Sequence, residues 1–497
     1  MPSIGQYPAD TLENESELTT KLERFFVFIR RRFVRKQRNG LSLTVGIVIV
    51  ALFLLAFFFI LQNYHGQDKL IQADTRIENL IYTLRSEELS DAMLLITLMG
   101  TWQIIFTGII VIGFPLFALN LIPYLLALVI SVSGGEIISS LIKNLVERPR
   151  PPVTSALIIE KSFSFPSGHT LVAVAFYGFL AYTFYRLGGT KRAKTLSIIL
   201  GGTAILAIAF SRLYLGIHWP SDILASLALG GAWLCLVITG LKFAQKSIWT
   251  KGQAAIIGKR FIVVPTAILL ILWLAYIGYF FSKQSLLPQA AVVQNPIHIN
   301  EKDIPNELFS ILPRFSETLT GSPMEPINII IVGDYDQVLR AFHSAGWFQP
   351  DPITLRTTWK TAVASILNKP YPRNIESPAF WNSKPNDFAF QLPTATVRQR
   401  HHVHFWSTPL LTDQNHRVWF ATAHFDKAIN FKTIVPSHHI DPYIDNERET
   451  IKKTVAETGQ ISEIREFQVT QPGQGKNLAG DKFFTNGEAY VLFLKDE

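Results

Sequence analysis

Apolar residues occur in long uninterrupted runs over the first part of the chain. A membrane-spanning helix needs about 20 consecutive, mainly apolar residues. On that criterion the pattern predicts spans at residues 41–62, 95–118, 121–142, 169–187, 195–215, 222–243 and 261–281. Seven spans place the two chain ends on opposite sides of a membrane.

Basic residues beside these runs predict the orientation. The tail 1–40, the loop Arg186–Lys194 and the segment Lys242–Arg260 are rich in lysine and arginine. Cytoplasmic loops carry this excess in membrane proteins. We therefore expect these three segments on the cytoplasmic side and the following ones on the outer side: 63–94, 143–168, 216–221 and everything after 282.

After about residue 286 the pattern changes to that of a soluble α+β domain near the common domain size. Alternating apolar runs predict strands at Ile327–Val332, Asp387–Leu392, Val397–Trp406, Arg417–Ala423 and Tyr490–Leu494. Helical periodicity is found at Asp336–Ala345, Thr358–Leu367 and Asn446–Thr458.

The predicted fold is an all-α polytopic membrane core followed by a soluble α+β domain. Its segments are a basic cytoplasmic tail 1–40, a six-helix membrane domain 41–245, a loop with a seventh transmembrane helix 246–285, and an outer domain 286–497.

Composition agrees with this organisation, because 48% of the residues are hydrophobic. The net charge is +8, and the basic residues lie mainly beside the apolar spans. The chain has no sequence signature of nucleic-acid binding. The single cysteine, Cys235, excludes a disulfide framework within one chain. We therefore expect a membrane-embedded protein without a nucleic-acid partner.

Three polar clusters interrupt the apolar pattern, and all three lie at helix ends on the predicted outer face. The first runs from Lys143 to Pro151, the second is Pro166–His169, and the third runs from Ser211 to Asp222. Charged groups are costly at a membrane boundary, so their gathering there indicates a site for an anion.

Three cations in these clusters, Lys143, Arg150 and Arg212, suit a phosphate, whose oxygens accept charge-assisted hydrogen bonds. Ser167 and Gly168 precede a helix, where exposed N–H groups form an anion site to which the serine hydroxyl can add. Arg148, by contrast, is interpreted as a bystander that extends toward the lipid headgroups.

Two histidines allow a division of chemical roles. Asp222 follows His218 by four residues, so its carboxylate can hold the imidazole tautomer, and such an imidazole is a good nucleophile toward phosphorus. His169 can donate a proton to the departing oxygen and later activate water. We therefore expect His218, His169 and Asp222 to be catalytic.

The clusters match, position for position, K-x6-RP, PSGH and SR-x5-H-x3-D, and over residues 41–245 the chain resembles the type-2 phosphatidic acid phosphatase superfamily. The resemblance implies a six-helix core and hydrolysis of phosphate esters or anhydrides without metal or cofactor. It also implies phosphate binding by Lys143, Arg150, Ser167, Gly168 and Arg212, a phosphohistidine on His218, and roles for His169 and Asp222 as above.

The substrate class implied by the resemblance is a phosphorylated membrane lipid: an isoprenoid diphosphate, a phosphatidate-like lipid or a lipid A phosphate. A site on the outer face of a bacterial cytoplasmic membrane favours undecaprenyl diphosphate. The same constellation resembles vanadium haloperoxidases, yet those are soluble. A lipid phosphotransferase and a membrane-anchored protein that binds cell-envelope partners stay open as alternatives.

The region around Asp336–Trp347, Arg398–Trp406, His416–Asp426 and His438–Arg448 resembles the LssY-like C-terminal domain of bacterial membrane phosphatases. This domain is compatible with binding an envelope partner. Seven of the chain's twelve histidines fall between His401 and His439, and His402 and His404 point to one face of a predicted strand. With Asp426, His438 or Asp441 they could hold a metal, but without a fixed ligand spacing we interpret them as surface or hydrogen-bonded core histidines.

Overall fold

The computed structural model describes residues 40–66, 69–152, 156–248, 260–287, 296–304, 308–430, 437–477 and 480–496. Two compact units divide the chain. The first contains residues 1–68 and 84–290, and the second contains residues 69–83 and 291–497. The predicted basic tail and most of the loop before the last apolar helix lie outside the described residues.

The described part of the first unit contains eight helices. They are α1 (Leu41–Gly66), α3 (Glu87–Leu98), α4 (Trp102–Ala118), α5 (Ile122–Val146), α6 (Gly168–Leu187, with a π-helical turn at Val174–Gly178), α7 (Lys191–Tyr214), α8 (Pro220–Ile248) and α9 (Arg260–Ser282). Helix α2 (Lys69–Tyr82) lies between α1 and α3 in the sequence but belongs to the second unit.

Six of the described helices are long and apolar enough to cross a membrane. The number of spans rises to seven if a bent pair of helices is counted as one further span. The predicted single span at 95–118 is wrong in its geometry. Helices α3 and α4 meet there at an angle of 55°. Gly100 lies in the break, where a Cβ atom would come within 3.0 Å of Ile208 and 3.3 Å of His169. The bend therefore brings the backbone close to the predicted site.

Packing between α5 and α8 holds two of the polar clusters together. The indole of Trp233 donates to the carbonyl of Ser131 at 2.8 Å. Gly134 permits this contact, because a Cβ atom there would lie 2.2 Å from the indole ring. Helix α5 carries Lys143 and α8 begins directly after His218, so this contact limits their relative motion.

The second unit is built on an eight-stranded mixed sheet. Its central order is β1 (Ile297–Ile299), β8 (Arg400–Thr412), β9 (Arg417–Asn430), β4 (Ile329–Val332), β14 (Glu488–Leu494) and β11 (Ile461–Gln468). Strand β7 (Phe388–Pro393) pairs with β8, and β10 (Ser437–Ile440) pairs with β9. The five predicted strands are confirmed, while β1, β10 and β11 of this sheet had not been predicted.

Each face of this sheet is covered by different elements. Helices α11 (Tyr335–Ser344) and α13 (Asp445–Ala456) pack on one face. Together with α12 (Leu355–Leu367), they confirm the three helices predicted for this domain. The opposite face packs on α10 (Leu308–Ile311) and on Trp381 of a smaller sheet. That sheet has the order β3 (Pro323–Pro326), β2 (Phe315–Glu317), β5 (Phe380–Trp381) and β6 (Lys384–Pro385), and a hairpin of β12 (Gly473–Lys476) and β13 (Lys482–Thr485) completes the unit.

Helix α2 joins the smaller sheet although it lies between two membrane helices in the sequence. Arg76 forms an ion pair of 2.5 Å with Glu317, and the Asn79 amide donates to the carbonyl of Ser383 at 2.7 Å. Both partners are distant in sequence. The loop 63–94 therefore contributes a structured element to the C-terminal domain, which the apolar pattern did not predict.

Candidate active site

Three cations from three elements line one cavity of about 580 Å³. Lys143 lies in the last turn of α5, Arg150 in the loop that follows, and Arg212 in the last turn of α7. The Lys143 ammonium donates to the carbonyl of Phe163 at 2.5 Å, and Nε of Arg150 donates to the carbonyl of Ser162 at 2.6 Å. Backbone oxygens of one loop thus hold two of the predicted phosphate ligands in place.

The N-terminus of α6 forms another wall of this cavity. Gly168 and His169 line it. Buried Ser167 is the N-cap, and its Oγ accepts from the Thr170 amide at 3.4 Å and from the Thr170 hydroxyl at 3.0 Å. A helix N-terminus favours anions through its N–H groups and its dipole. In this arrangement the Ser167 hydroxyl serves the helix cap, and the cavity wall comes from the two residues after it.

His218 is buried between a carboxylate and a guanidinium. Its Nδ1 lies 3.3 Å from Oδ2 of Asp222, and its Nε2 lies 3.2 Å from Nη1 of Arg150. Burial, reinforced by the positive charges of Arg150 and Arg212, holds the pKa of His218 well below its ordinary value. The imidazole is therefore neutral, and a proton on Nδ1 facing Asp222 leaves the lone pair on Nε2.

The other end of the cavity is apolar. Trp102 and Phe106 of α4 and Val129 and Val132 of α5 line it. Trp102 is 69% exposed and Phe106 is 59% exposed, so this wall faces outward from the helices. A cavity that is cationic at one end and apolar at the other suits an amphiphile with an anionic head.

A second cavity of about 510 Å³ reaches part of the same charged centre. Trp102, Glu160, His169 and Arg212 line both cavities, and the second is also lined by Gln103 and Gln284. The charged centre therefore adjoins a second cavity that has polar as well as apolar lining.

The structure brings all eight predicted site residues to one place. Six of them line the larger cavity: Lys143, Arg150, Gly168, His169, Arg212 and His218. The other two, Ser167 and Asp222, lie directly behind it and are bonded to Thr170 and His218.

Known proteins are similar in sequence to this part of the chain. The model of the PAP2 superfamily matches residues 121–246. Phosphatidylglycerophosphatase B of Bacillus subtilis is 30% identical over 182 residues, which cover 36% of this chain and 88% of that protein. The chain belongs to the PAP2 superfamily. It is therefore a membrane protein of a lipid phosphatase family.

Two further relatives of the PAP2 core are similar over shorter segments. Phosphatidylglycerophosphatase B of Haemophilus influenzae is 35% identical over 91 residues, covering 18% of this chain and 36% of that protein. A probable sphingosine-1-phosphate phosphatase of Dictyostelium discoideum is 33% identical over 109 residues, covering 20% and 26%. A crystal structure of a transmembrane PAP2-type phosphatidylglycerolphosphate phosphatase from Bacillus subtilis has 27% identity and a TM-score of 0.36, covering 41% of this chain and 98% of that one.

The C-terminal domain also matches a known family. The model described as LssY C-terminus matches residues 309–489. The resemblance identified from the sequence is thereby confirmed for both parts of the chain.

The sequence did not reveal the buried position of Arg148 in the PAP2 core or its contact with Asp222. The interpretation as a headgroup-facing bystander is wrong, because Arg148 is 3% exposed and donates to Oδ1 of Asp222 and to Oγ of Ser221, both at 2.7 Å. Its guanidinium also lies 4.8 Å from the ring centre of Tyr64. The signal in the sequence was a second arginine inside the first cluster. Arg148 thus neutralises the carboxylate that contacts His218.

Replacing Arg148 by alanine should lower kcat by on the order of 10²-fold and leave KM nearly unchanged, because Asp222 would lose the partner that positions it. Unfolding should also become about 3 kcal/mol easier, since a buried charge is left without compensation. Arg148→Lys, which keeps the charge, should recover part of the rate. The matched control is Arg192→Ala on the exposed start of α7, and a raised KM with unchanged kcat would contradict the positioning role.

Glu160 is a second residue that the sequence did not reveal. Its Oε1 accepts from Nη2 of Arg212 at 2.8 Å inside the cavity. Burial alone would raise the pKa of Glu160, but the Arg212 guanidinium and then Arg150 hold it below its ordinary value. An ionised carboxylate therefore occupies a hydrogen-bonding position of a predicted phosphate ligand.

Glu160→Gln should tighten inhibition by inorganic phosphate by roughly threefold to tenfold, because an anion would no longer compete with a carboxylate for Arg212. The inhibition constant is measured at neutral pH beside Glu88→Gln, which removes an exposed carboxylate of α3. Weaker inhibition in Glu160→Gln would mean that Glu160 holds Arg212 ready for phosphate instead of competing with it.

Proposed function

We propose that this protein hydrolyses the phosphate ester or diphosphate of a membrane lipid through a phosphohistidine intermediate on His218. The observation that carries the proposal is the single cavity in which three cations and two histidines adjoin an apolar wall. A lipid can place its phosphate at the cationic end while its chains stay among apolar side chains. Neither a soluble phosphate ester nor a nucleic acid needs such a wall.

Phosphate binding comes first. Lys143, Arg150 and Arg212 would share the nonbridging oxygens, together with N–H groups at the start of α6. The negative charge on these oxygens increases in the transition state, so fixed cations stabilise it more than the ground state. These side chains supply the charge compensation that a metal ion gives in other phosphatases, and on this basis we propose that the reaction needs no metal.

The first chemical step forms the phosphohistidine. The Nε2 lone pair of His218 attacks phosphorus while the bond from phosphorus to the lipid oxygen breaks. His169, protonated beside the phosphate, gives its proton to that oxygen. Asp222, held by Arg148, accepts a hydrogen bond from Nδ1 and stabilises the positive charge that the His218 ring acquires.

The second step releases phosphate. Water attacks the phosphorus of the phosphohistidine, and His169 accepts a proton from this water. The bond between Nε2 and phosphorus then breaks and restores neutral His218. The second cavity also reaches His169 and is lined in part by Gln103 and Gln284, so it offers water a partly polar approach. Hydrolysis, as opposed to transfer to a lipid hydroxyl, is favoured by this polar approach.

Two substrates have specific support. Similarity to phosphatidylglycerophosphatase B of two bacteria favours phosphatidylglycerophosphate. Ser133, Glu136 and Ser140, which line the cavity on the same helix as Lys143, could bind hydroxyl groups of a glycerol head. A site on the outer membrane face instead favours undecaprenyl diphosphate.

The test is phosphate release by the purified full-length protein from phosphatidylglycerophosphate, undecaprenyl diphosphate and phosphatidate, each with and without millimolar EDTA. We expect release from at least one lipid at a rate that EDTA leaves within about twofold. Loss of activity in EDTA that returns with a divalent cation would overturn metal independence. Transfer of the phosphate to an added lipid alcohol without free phosphate would show a phosphotransferase.

We also propose that the N-terminus is cytoplasmic, and that the active site and the C-terminal domain are on the outer side of a bacterial cytoplasmic membrane. The distribution of lysine and arginine supports this orientation. The test uses Lys476→Cys on an exposed hairpin and Arg192→Cys at the start of α7, each in a Cys235→Ala background. A membrane-impermeant maleimide should label only Lys476→Cys in intact spheroplasts, and the reverse result would invert the topology.

A further inference from the structure

A buried polar cluster occupies one face of the large sheet in the C-terminal domain, away from the PAP2 core's catalytic residues in sequence. Strand β8 contributes His402 and His404, and β9 contributes His424 and Asp426. His402 lies directly opposite His424 in the register. Because residues two apart on a strand share a face, the sheet itself holds these four side chains together.

The distances within this cluster are short. Nε2 of His402 lies 2.6 Å from Nε2 of His424, and Oδ1 of Asp426 lies 3.8 Å from the same His424 nitrogen. Oδ2 of Asp426 lies 3.2 Å from Nδ1 of His402. A proton on Nδ1 facing this carboxylate leaves the Nε2 lone pair of His402 directed toward His424. Carboxylate–histidine pairs of this kind orient metal-binding imidazoles.

A second set of donors adjoins His402. Oε1 of Glu376 lies 3.9 Å from Nε2 of His404, and Oε2 of Glu376 lies 3.7 Å from Nδ1 of His402. Arg400, two residues before His402 on β8, forms ion pairs with Glu376 at 2.8 Å and with Asp426 at 3.1 Å. Arginine therefore orients both carboxylates, as hydrogen bonds to ligating carboxylates do around bound metals.

The cluster is buried, and buried polar groups are stable only with partners. Exposed fractions are 2% for His402, 4% for His404 and 0% for Asp426. Nδ1 of His404 has no hydrogen-bond partner within the described part of the chain. Imidazoles with nearby carboxylates are the ligand types that divalent transition metals prefer.

Other histidines of this domain behave as ordinary hydrogen-bonded residues. His401 pairs with Glu447 at 2.7 Å, His416 with Asp496 at 3.0 Å, and His439 with Asp481 at 2.9 Å. Asp441, one of the ligands considered from the sequence, pairs instead with Lys427 at 2.9 Å. The side chain of the other, His438, lies outside the described residues. The interpretation as surface or core histidines therefore fits this group, and the cluster around His402 is different.

We infer that the C-terminal domain binds one divalent transition metal ion of the zinc class, with His402, His424 and Asp426 as ligands. Two imidazoles and one carboxylate leave positions for water or for a further donor such as Glu376. In the ion's presence the two Nε2 atoms would separate to the wider spacing that tetrahedral bonds of about 2.0–2.1 Å require. The site is independent of the phosphatase chemistry in the membrane core.

The experiment measures zinc bound to the purified full-length protein after EDTA treatment, removal of the chelator and titration with Zn²⁺. About one equivalent per chain should bind, and unfolding should shift upward by about 5 °C or more. Cobalt substitution should produce visible absorption bands of a four- or five-coordinate site. Binding should weaken at least tenfold in His402→Gln and in His424→Gln, each checked for native folding by its circular dichroism spectrum.

The matched control is His439→Gln, which removes a histidine of the same domain outside the cluster and should bind zinc like the unmodified protein. Should the unmodified protein bind no zinc above the level of a background without the chain, the site does not exist. Binding that survives both His402→Gln and His424→Gln would equally overturn the assignment. Loss in His404→Asn with retention in His424→Gln would move the ion to Glu376 and His404 and overturn the ligand set.

Discussion

Phosphate release by His218→Ala should fall by on the order of 10⁴-fold or more, because the proposed reaction has no covalent route without this nucleophile. The side chain lines the cavity and contributes Nε2 beside Arg150. Alanine keeps the three cations, so lipid binding should change far less than kcat. The measurement is a full kinetic comparison with the unmodified protein on the lipid that it hydrolyses fastest.

A trapping experiment distinguishes the nucleophile from a merely structural histidine. Rapid quenching in alkali with a lipid labelled on its phosphate should leave acid-labile radioactivity on the unmodified chain and none on His218→Ala. His416→Ala, a histidine of the C-terminal domain paired with Asp496, is the control and should label normally. Label on the His218→Ala chain, or turnover within tenfold of normal, would exclude the proposed intermediate.

Asp222→Asn should lower kcat by roughly 10³-fold, the second largest effect that the structure predicts. The amide cannot stabilise the positive ring that forms on attack, and it can donate to Nδ1, which would move the ring proton to Nε2 and remove the nucleophilic lone pair. KM should change little, because Asp222 is fully buried behind His218 and does not reach the phosphate.

The same substitution also tests the buried ion pair. Asparagine leaves Arg148 without its charged partner at 2.7 Å, so unfolding should become about 3 kcal/mol easier. Combining Asp222→Asn with Arg148→Met should return part of this stability but none of the rate, since the orienting carboxylate stays absent. Asp91→Asn on the exposed face of α3 is the control. A normal rate in Asp222→Asn would remove the orienting role.

The apolar pattern predicted most of the membrane core because membrane helices bury long runs of apolar residues. It located six helices within a few residues, such as α7 at Lys191–Tyr214 against a predicted 195–215. It failed at 95–118, where α3 and α4 bend by 55° around Gly100. The bend depends on how closely this backbone approaches Ile208 and His169, which are distant in sequence.

The candidate site was predictable to the level of its residues. Spacing within each cluster and the alternation of helices placed Lys143, His169, Arg212 and His218 at one end of the bundle, and the cavity confirms that they meet. The pairing of Arg148 with Asp222 and of Glu160 with Arg212 was not predictable, because either arginine could equally face headgroups, water or a carboxylate. The docking of α2 on Glu317 was hidden for the same reason.

The sequence by itself determined the membrane helices, the order of the three polar clusters and the family, since these depend on periodicity and on spacing along one chain. Only the tertiary structure decided which charges neutralise each other, where the apolar wall adjoins the phosphate site, and that His402, His424 and Asp426 meet on one sheet face. Such contacts join residues far apart in the chain. Their energies depend on burial and on distances of a few ångströms, which a linear pattern does not contain.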